Sequence, residues 1–179
     1  IFGNPQSVEL EIGAGDGSFL VQYAAKHPER NFLGIERLLG RLRKIDRKSK
    51  RQGLLNVRAL RLEASYVLRW MIPPGSLSAI HVYFPDPWPK SRHHKRRLLQ
   101  PATVALIADR LRPGGILHAA TDHADYAEQI AQVGDAEPRL RRVTGSPELP
   151  ISVHRPTTKY EGKAHTAGSA IAELVWERR

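Results

Sequence analysis

Asp86 and Trp88 stand among three prolines in the stretch Tyr83-Phe-Pro-Asp-Pro-Trp-Pro-Lys90, and a dense basic block, Ser91-Arg-His-His-Lys-Arg-Arg97, follows at once. Pro85, Pro87 and Pro89 have no N–H for a sheet ladder and restrict the residues before them. The apolar run Ala79 to Phe84 therefore reads as an interior strand that ends there, with the carboxylate and the indole projecting from a stiff loop. That is a catalytic loop and its docking surface, side by side. A second constellation lies near the start of the chain, where Gly13-x-Gly15-x-Gly17 lets the backbone approach a ligand closely. The dinucleotide fingerprint sets its last glycine one residue further along and places pyrophosphate on the helix that follows. Here Glu11 and Asp16 bring negative charge to the turn, which repels a pyrophosphate and attracts a ligand carrying an ammonium and a sulfonium. Glu36 falls where a carboxylate accepts hydrogen bonds from ribose hydroxyls. Together these point to S-adenosylmethionine rather than NAD.

The elements that must position these residues alternate short apolar runs with longer amphipathic ones, the pattern of an α/β fold with a largely parallel sheet. Strands are expected over Val8 to Ile12, Asn31 to Ile35, Asn56 to Leu62, Ala79 to Phe84 and Ile116 to Ala120. Helices are expected over Ser18 to His27, Leu38 to Arg51, Ala64 to Met71, Pro101 to Leu111 and His123 to Val133, with a turn at Arg112 to Gly115. Two consecutive strands, Leu140 to Val143 and Ala170 to Trp176, complete seven strands as an antiparallel edge hairpin, with helices on both faces. In this arrangement Gly13, Glu36, Glu63, Asp86 and Asp122 each follow one of the first five strands. A parallel sheet gathers such positions on one edge, where open α/β folds bind their ligands. Any one of these carboxylates also fits a plain helix N-cap.

Composition bounds the partners. One domain over residues 1–179 is expected, and the opening Ile1-Phe-Gly-Asn-Pro5 leads so quickly into a strand that the natural N-terminus is expected upstream. There are no cysteines, so disulfides and thiolate metal sites are excluded, and no export signal opens the chain; a cytoplasmic protein is expected. The 28 Lys and Arg against 18 Asp and Glu give a net charge of +10, which favours a polyanion whose phosphates release counterions on binding. The block Lys90 to Arg97 and the cations Arg41, Arg43, Lys44, Arg47, Lys48, Lys50 and Arg51 are the expected phosphate-binding surface. His93, His94, His118 and His123 show no convergence into a metal site, and His81 and His118 read as interior strand residues.

Leu10-Glu-Ile-Gly-Ala-Gly-Asp-Gly17, Gly34-Ile-Glu36, Tyr83 to Lys90 with Arg92-His93 and Lys95 to Leu98, Ala120-Thr-Asp122 and Arg155-Pro-Thr-Thr-Lys-Tyr-Glu161 together resemble the bacterial tRNA (guanine-N7-)-methyltransferase family over essentially the whole chain. The first two motifs are shared by Rossmann-like class I methyltransferases; the Phe-Pro-Asp-Pro-Trp loop and Thr-Lys-Tyr-Glu are specific to the family. The resemblance implies an S-adenosylmethionine-dependent enzyme that methylates N7 of guanosine 46 in the variable loop of tRNA. It implies cofactor contacts from Glu11, the glycine turn Gly13, Gly15 and Gly17, Glu36, Glu63 and Asp86, with Asp86 catalytic. It places Lys90, Asp122, Thr158, Lys159, Tyr160 and Glu161 on the nucleoside, and implies a monomer or homodimer needing no protein partner. Glu63 departs from the family, which usually has Asp or Asn there. Trp88 or Tyr160 is a candidate to stack on an extracted base, or else packs its own loop. Two alternatives fit the same residues: a methyltransferase acting on another RNA or a small molecule, and a catalytically silent RNA-binding protein.

Overall fold

The computed structural model describes residues 1–143 and 171–179. Seven strands form one sheet: β1 (Val8–Ile12), β2 (Asn31–Ile35), β3 (Val57–Leu60), β4 (Leu77–Tyr83), β5 (Leu111–Thr121), β6 (Leu140–Arg142) and β7 (Ala172–Arg178). Their order is β3-β2-β1-β4-β5-β7-β6, with β1 to β5 parallel and β7 antiparallel to both of its neighbours. The helices are α1 (Ser18–Lys26), α2 (Leu39–Arg51), α3 (Ala64–Trp70), α4 (Pro101–Arg110) and α5 (Ala124–Ala136).

Period-two alternation decides which residues face which layer. Leu10 and Ile12, with Leu33, Ile35, Ile80, Val82, Leu117 and Ala119 on neighbouring strands, pack against α3, α4 and α5. The opposite face meets α1 and α2 through Phe19, Leu20, Tyr23, Phe32, Ile45 and Tyr83. This second face also buries Glu9, Glu11, His81 and His118, so one of the two layers is polar at its centre.

Several boundaries differ from the sequence expectation. Leu111 opens β5 rather than closing α4: it pairs with Leu77, and Ile116 pairs with Ala79, so Arg112 to Gly115 bulge out of the ladder around Gly114 at φ 74°. Helix α5 runs on to Ala136 because Gly134 presents no side chain to Trp176, whose Cζ2 would lie 2.2 Å from an added Cβ, while Asp135 accepts the indole N–H at 2.9 Å. Strand β3 is shorter than expected and β7 lies two residues further on, spanning Ala172–Arg178. The basic block after Lys90 winds into a short 3₁₀ helix over Ser91–Arg96 that periodicity did not signal. Among the described residues no helix is long and apolar enough to cross a membrane.

Candidate active site at the carboxyl edge of the sheet

The parallel register brings the ends of β1 to β5 to one edge, and the sheet order reverses between β1 and β4, which is where such folds open a crevice. The glycine turn enters it from β1. Gly13 and Ala14 both donate to the Ile35 carbonyl at 2.9 Å, which folds the turn over the end of β2. Gly13, Gly15 and Gly17 have φ of 75°, 56° and 75°, the left-handed region that costs other residues about 1–2 kcal/mol. At Gly17 an added Cβ would also meet Ile45 Cγ1 at 2.9 Å, so this position fixes how closely α1 seats on α2. Gly17→Ala is therefore expected to lower the melting temperature several degrees more than Gly13→Ala, whose Cβ meets nothing within 4 Å. Equal melts would remove the packing role of Gly17.

Glu36 is buried at the end of β2 and works on this turn. Its Oε2 accepts the Gly15 N–H at 3.0 Å and its Oε1 accepts the Leu38 N–H at 2.8 Å, so the carboxylate holds the glycine backbone and the start of α2 together. Asp16 is used differently from the expectation that it charges the ligand side of the turn. Its carboxylate accepts from Ser18 N and Oγ, at 3.2 and 2.6 Å, and pairs with Lys48 Nζ at 3.2 Å; Lys48 also donates to the Asp16 carbonyl at 2.8 Å. Lys48, expected on the phosphate surface, is thus a clasp from α2 onto the glycine turn.

Glu11 lies 5% exposed beneath the turn, and among the described residues its Oε2 has no hydrogen-bond partner. Burial, with the charges of Asp16 and Glu36 adding to it, pushes its carboxyl up to about 8 against a backbone hydrogen bond at Leu20 that pulls it down. Set against the sequence expectation of a standing negative charge, a carboxyl pushed up to about 8 holds its proton into the neutral range. The unpaired oxygen under a glycine turn fits the ammonium or sulfonium of S-adenosylmethionine. The native carboxyl keeps a proton that the unfolded chain loses from about 4.5, so this group's stabilisation is complete below 4.5 and is lost as pH rises to about 8. Glu11→Gln is expected to leave stability unchanged at pH 4 and to raise it at pH 8 by an amount on the order of a few kcal/mol. A thermal shift of equal size at both pH values would contradict this.

Glu63 realises the plain capping alternative. Burial pushes its carboxyl up, but the Ser65 hydroxyl and the N–H groups of Ser65 and Tyr66, the latter at 3.0 Å, outweigh it and hold it below the usual range; it is the N-cap of α3.

The Asp86 loop is stiff for more reasons than its prolines. Phe84 and Trp88 have φ of 50° and 45°, uncommon for non-glycine residues, and both precede proline. Strain of this kind persists only where the surroundings over-determine it. Phe84 N–H donates to the Ala120 carbonyl at 2.8 Å, tying the loop to β5. Arg97, 3% exposed, donates from Nε to the Pro87 carbonyl at 2.7 Å, from Nη1 to Gln129 at 2.7 Å and from Nη2 to Asp125, and it stacks on Tyr126 at 4.8 Å. Arg97 was expected to bind phosphate; it is instead the rivet between this loop and α5, a role that no local sequence signal carries. Trp88 packs its own loop, with Arg96 over the ring at 5.0 Å and His93 edge-on at 5.9 Å. Asp86, Lys90 and Asp122 are exposed at the edge. Thr158, Lys159, Tyr160 and Glu161 lie outside the described residues.

Beside the turn, Asp16, Lys44, Arg47, Lys48 and Arg51 line a cleft of about 490 Å³. Lys50 pairs with Asp46 at 3.0 Å, whereas Arg43, Lys44, Arg47 and Arg51 are exposed. A cavity of about 740 Å³ lined by residues such as Phe2, Val8, Met71 and Leu77 lies at the opposite edge, where β1 and β4 begin, and takes no part in this site.

The strand order and this edge define a Rossmann-like class I methyltransferase. The fold is shared with a geranyl diphosphate methyltransferase solved in complex with GPP and sinefungin (13% identity, TM-score 0.65, covering 99% of this chain and 74% of that one). It is shared equally with the 16S rRNA methyltransferase KamB (21% identity, TM-score 0.65, covering 97% and 88%). Residues 5–174 match the sequence pattern of a family described as putative methyltransferases. The chain belongs to the tRNA (guanine-N(7)-)-methyltransferase family. It is 56% identical over 177 residues to the member from Mycobacterium sp. strain KMS and 51% identical over 178 residues to that from Mycobacterium leprae strain Br4923, in each case over 99% of this chain. It spans 64% of the length of the first relative and 77% of the second.

Proposed function

We propose that this protein transfers a methyl group from S-adenosylmethionine to N7 of guanosine 46 in the variable loop of tRNA, as a single methyltransferase domain working in the cytoplasm as a monomer or homodimer. The observation that carries this reading is the identity of 51–56% with named tRNA (guanine-N(7)-)-methyltransferases across nearly the whole chain. The alignment of five site positions on one sheet edge supports it.

S-adenosylmethionine supplies an electrophilic methyl on a sulfonium. Glu11, ionising beneath Gly13, Gly15 and Gly17, holds the cationic end, Glu36 takes the ribose hydroxyls with its remaining lone pairs, and Glu63 meets the adenine from the mouth of α3. Guanine N7 offers an in-plane lone pair and no proton, so the attack needs no general base, and the protein contributes position and charge. As positive charge develops on the purine, Asp86 stabilises it. Lys90, Asp122, Thr158, Lys159, Tyr160 and Glu161 hold the nucleoside, with Asp122 or Glu161 accepting from the N1–H and amino edge. Arg43, Lys44, Arg47, Arg51 and the outward cations of the 3₁₀ helix bind the tRNA backbone. The test is transfer of labelled methyl from S-adenosylmethionine to unmodified tRNA transcripts, with the nucleosides separated after digestion. N7-methylguanosine is expected; label on any other atom, or none despite tRNA binding, would overturn the reading.

A further inference from the structure

Two carboxylates of the proposed chemistry reach the crevice from separate elements: Asp86 from the loop after β4, and Asp122 from the link between β5 and α5. Their relative placement depends on how the Asp86 loop is held against α5. Below the loop, the Phe84 N–H on the Ala120 carbonyl at 2.8 Å joins the two strand ends. Further along, one guanidinium meets both sides. Arg97 Nε donates at 2.7 Å to the carbonyl of Pro87, the residue after Asp86. Its Nη2 donates to Asp125, three residues after Asp122 on the first turn of α5, and its Nη1 donates at 2.7 Å to Gln129 Oε1 one turn on. The chain beyond Arg97 is held by the same helix. Gln129 Nε2 donates to the Leu99 carbonyl at 3.3 Å, and the Leu99 N–H donates to the Tyr126 hydroxyl at 3.1 Å.

The fork explains the residue type. A guanidinium serves three acceptors on two elements at once from one rigid plane, whereas an ammonium is a point donor that cannot span them. Arg97 closes the basic run that begins at Arg92, yet it is buried, while Arg92, Lys95 and Arg96 are exposed. Burying a cation is costly unless it is paired and hydrogen-bonded, and each of its bonds here goes to a group that frames the crevice. A transfer that needs no general base depends on placement, and a misplacement of about 1 Å can cost about 10²-fold in rate.

Resting on the methyltransferase reading, we propose that Arg97 is a positioning residue: by joining the Pro87 carbonyl to Asp125 and Gln129, it fixes Asp86 relative to Asp122 across the crevice. Arg97→Lys keeps the charge and removes the fork. It is expected to lower kcat for tRNA methylation about ten- to a hundredfold, with the KM for S-adenosylmethionine and the salt slope of tRNA binding unchanged. Arg139→Lys is the contrast. Arg139, just past the other end of α5, donates to the Ala105 carbonyl of α4 at 3.0 Å, so its loss weakens a brace away from the crevice and leaves kcat unaltered. Fluorine-19 spectra of protein labelled with 5-fluorotryptophan, the Trp88 line assigned with Trp88→Phe, read the loop without any assay of activity. One sharp Trp88 line is expected in the wild type and in Arg139→Lys, and a broadened or split line in Arg97→Lys. Unchanged kcat in Arg97→Lys, an equal loss in Arg139→Lys, or a flattened salt slope, which would make Arg97 a phosphate contact, would overturn the proposal. Should Arg97→Lys fail to fold, Gln129→Leu, which removes one of the three acceptors, is read in the same ways. A wild type that transfers no methyl to tRNA would fail the functional reading, and the fluorine spectra alone would then decide the brace, a single sharp Trp88 line in Arg97→Lys overturning it.

Discussion

Replacing Asp86 by alanine is expected to lower kcat for tRNA methylation about 10²- to 10³-fold, the loss seen when one preorganised electrostatic group is removed from a transition state. Folding is expected to survive, because among the described residues nothing that holds the loop passes through this side chain. The loop is held by Phe84 N–H on Ala120 and by Arg97 on Pro87, Gln129 and Asp125, while the Asp86 carboxylate is exposed at the sheet edge. Asp86→Asn separates the two parts of the role. It keeps a polar group able to orient the base and removes the charge, so a rate close to that of alanine assigns the effect to charge. A raised KM for S-adenosylmethionine with kcat intact would instead place Asp86 on the cofactor.

Joint replacement of Lys44, Arg47 and Arg51 by alanine is expected to weaken tRNA binding about a hundredfold near 0.1 M salt. It should also flatten the slope of log affinity against log salt by about 2 to 3, since each phosphate contact contributes about 0.7 to 0.9. These cations are exposed on one side of α2 and line the cleft beside the glycine turn. Arg97→Ala is the contrasting case: it is expected to leave the salt slope intact and to cost about 2 kcal/mol of stability, because the Pro87 carbonyl and Gln129 lose a buried donor. Two arginines from one basic-looking sequence would then be separated by what each touches. A salt slope unmoved by the triple variant would remove α2 from the RNA surface.

The sequence was most legible where local rules act alone. Short runs followed by longer amphipathic stretches set the strands Val8 to Ile12 and Asn31 to Ile35 to the residue, and the prolines after Phe84 marked the end of β4. Because β1 to β5 are parallel, the residues after them had to share an edge, so Gly13, Glu36, Glu63, Asp86 and Asp122 assemble there as expected. What escaped depended on partners distant in sequence. Lys48 looked like one more cation of a basic helix until the fold set it on Asp16, 32 positions earlier. Arg97 became buried only because α5 brings Gln129 and Asp125 to it. Glu11 reads as an anion in any sequence; the rise of its carboxyl follows from burial, with the charges of Asp16 and Glu36 adding to it. The Ser65 hydroxyl beside Glu63 was a legible capping signal, and it marks a second duty for a residue whose type departs from the family.

The most direct test is methylation of two tRNA transcripts that differ only at position 46 of the variable loop, guanosine in one and adenosine in the other, with labelled S-adenosylmethionine and identification of the product nucleoside. The account predicts N7-methylguanosine from the first transcript and none from the second. Equal labelling of both would contradict the assigned position, and absence of label from both, with tRNA bound, would contradict the activity itself.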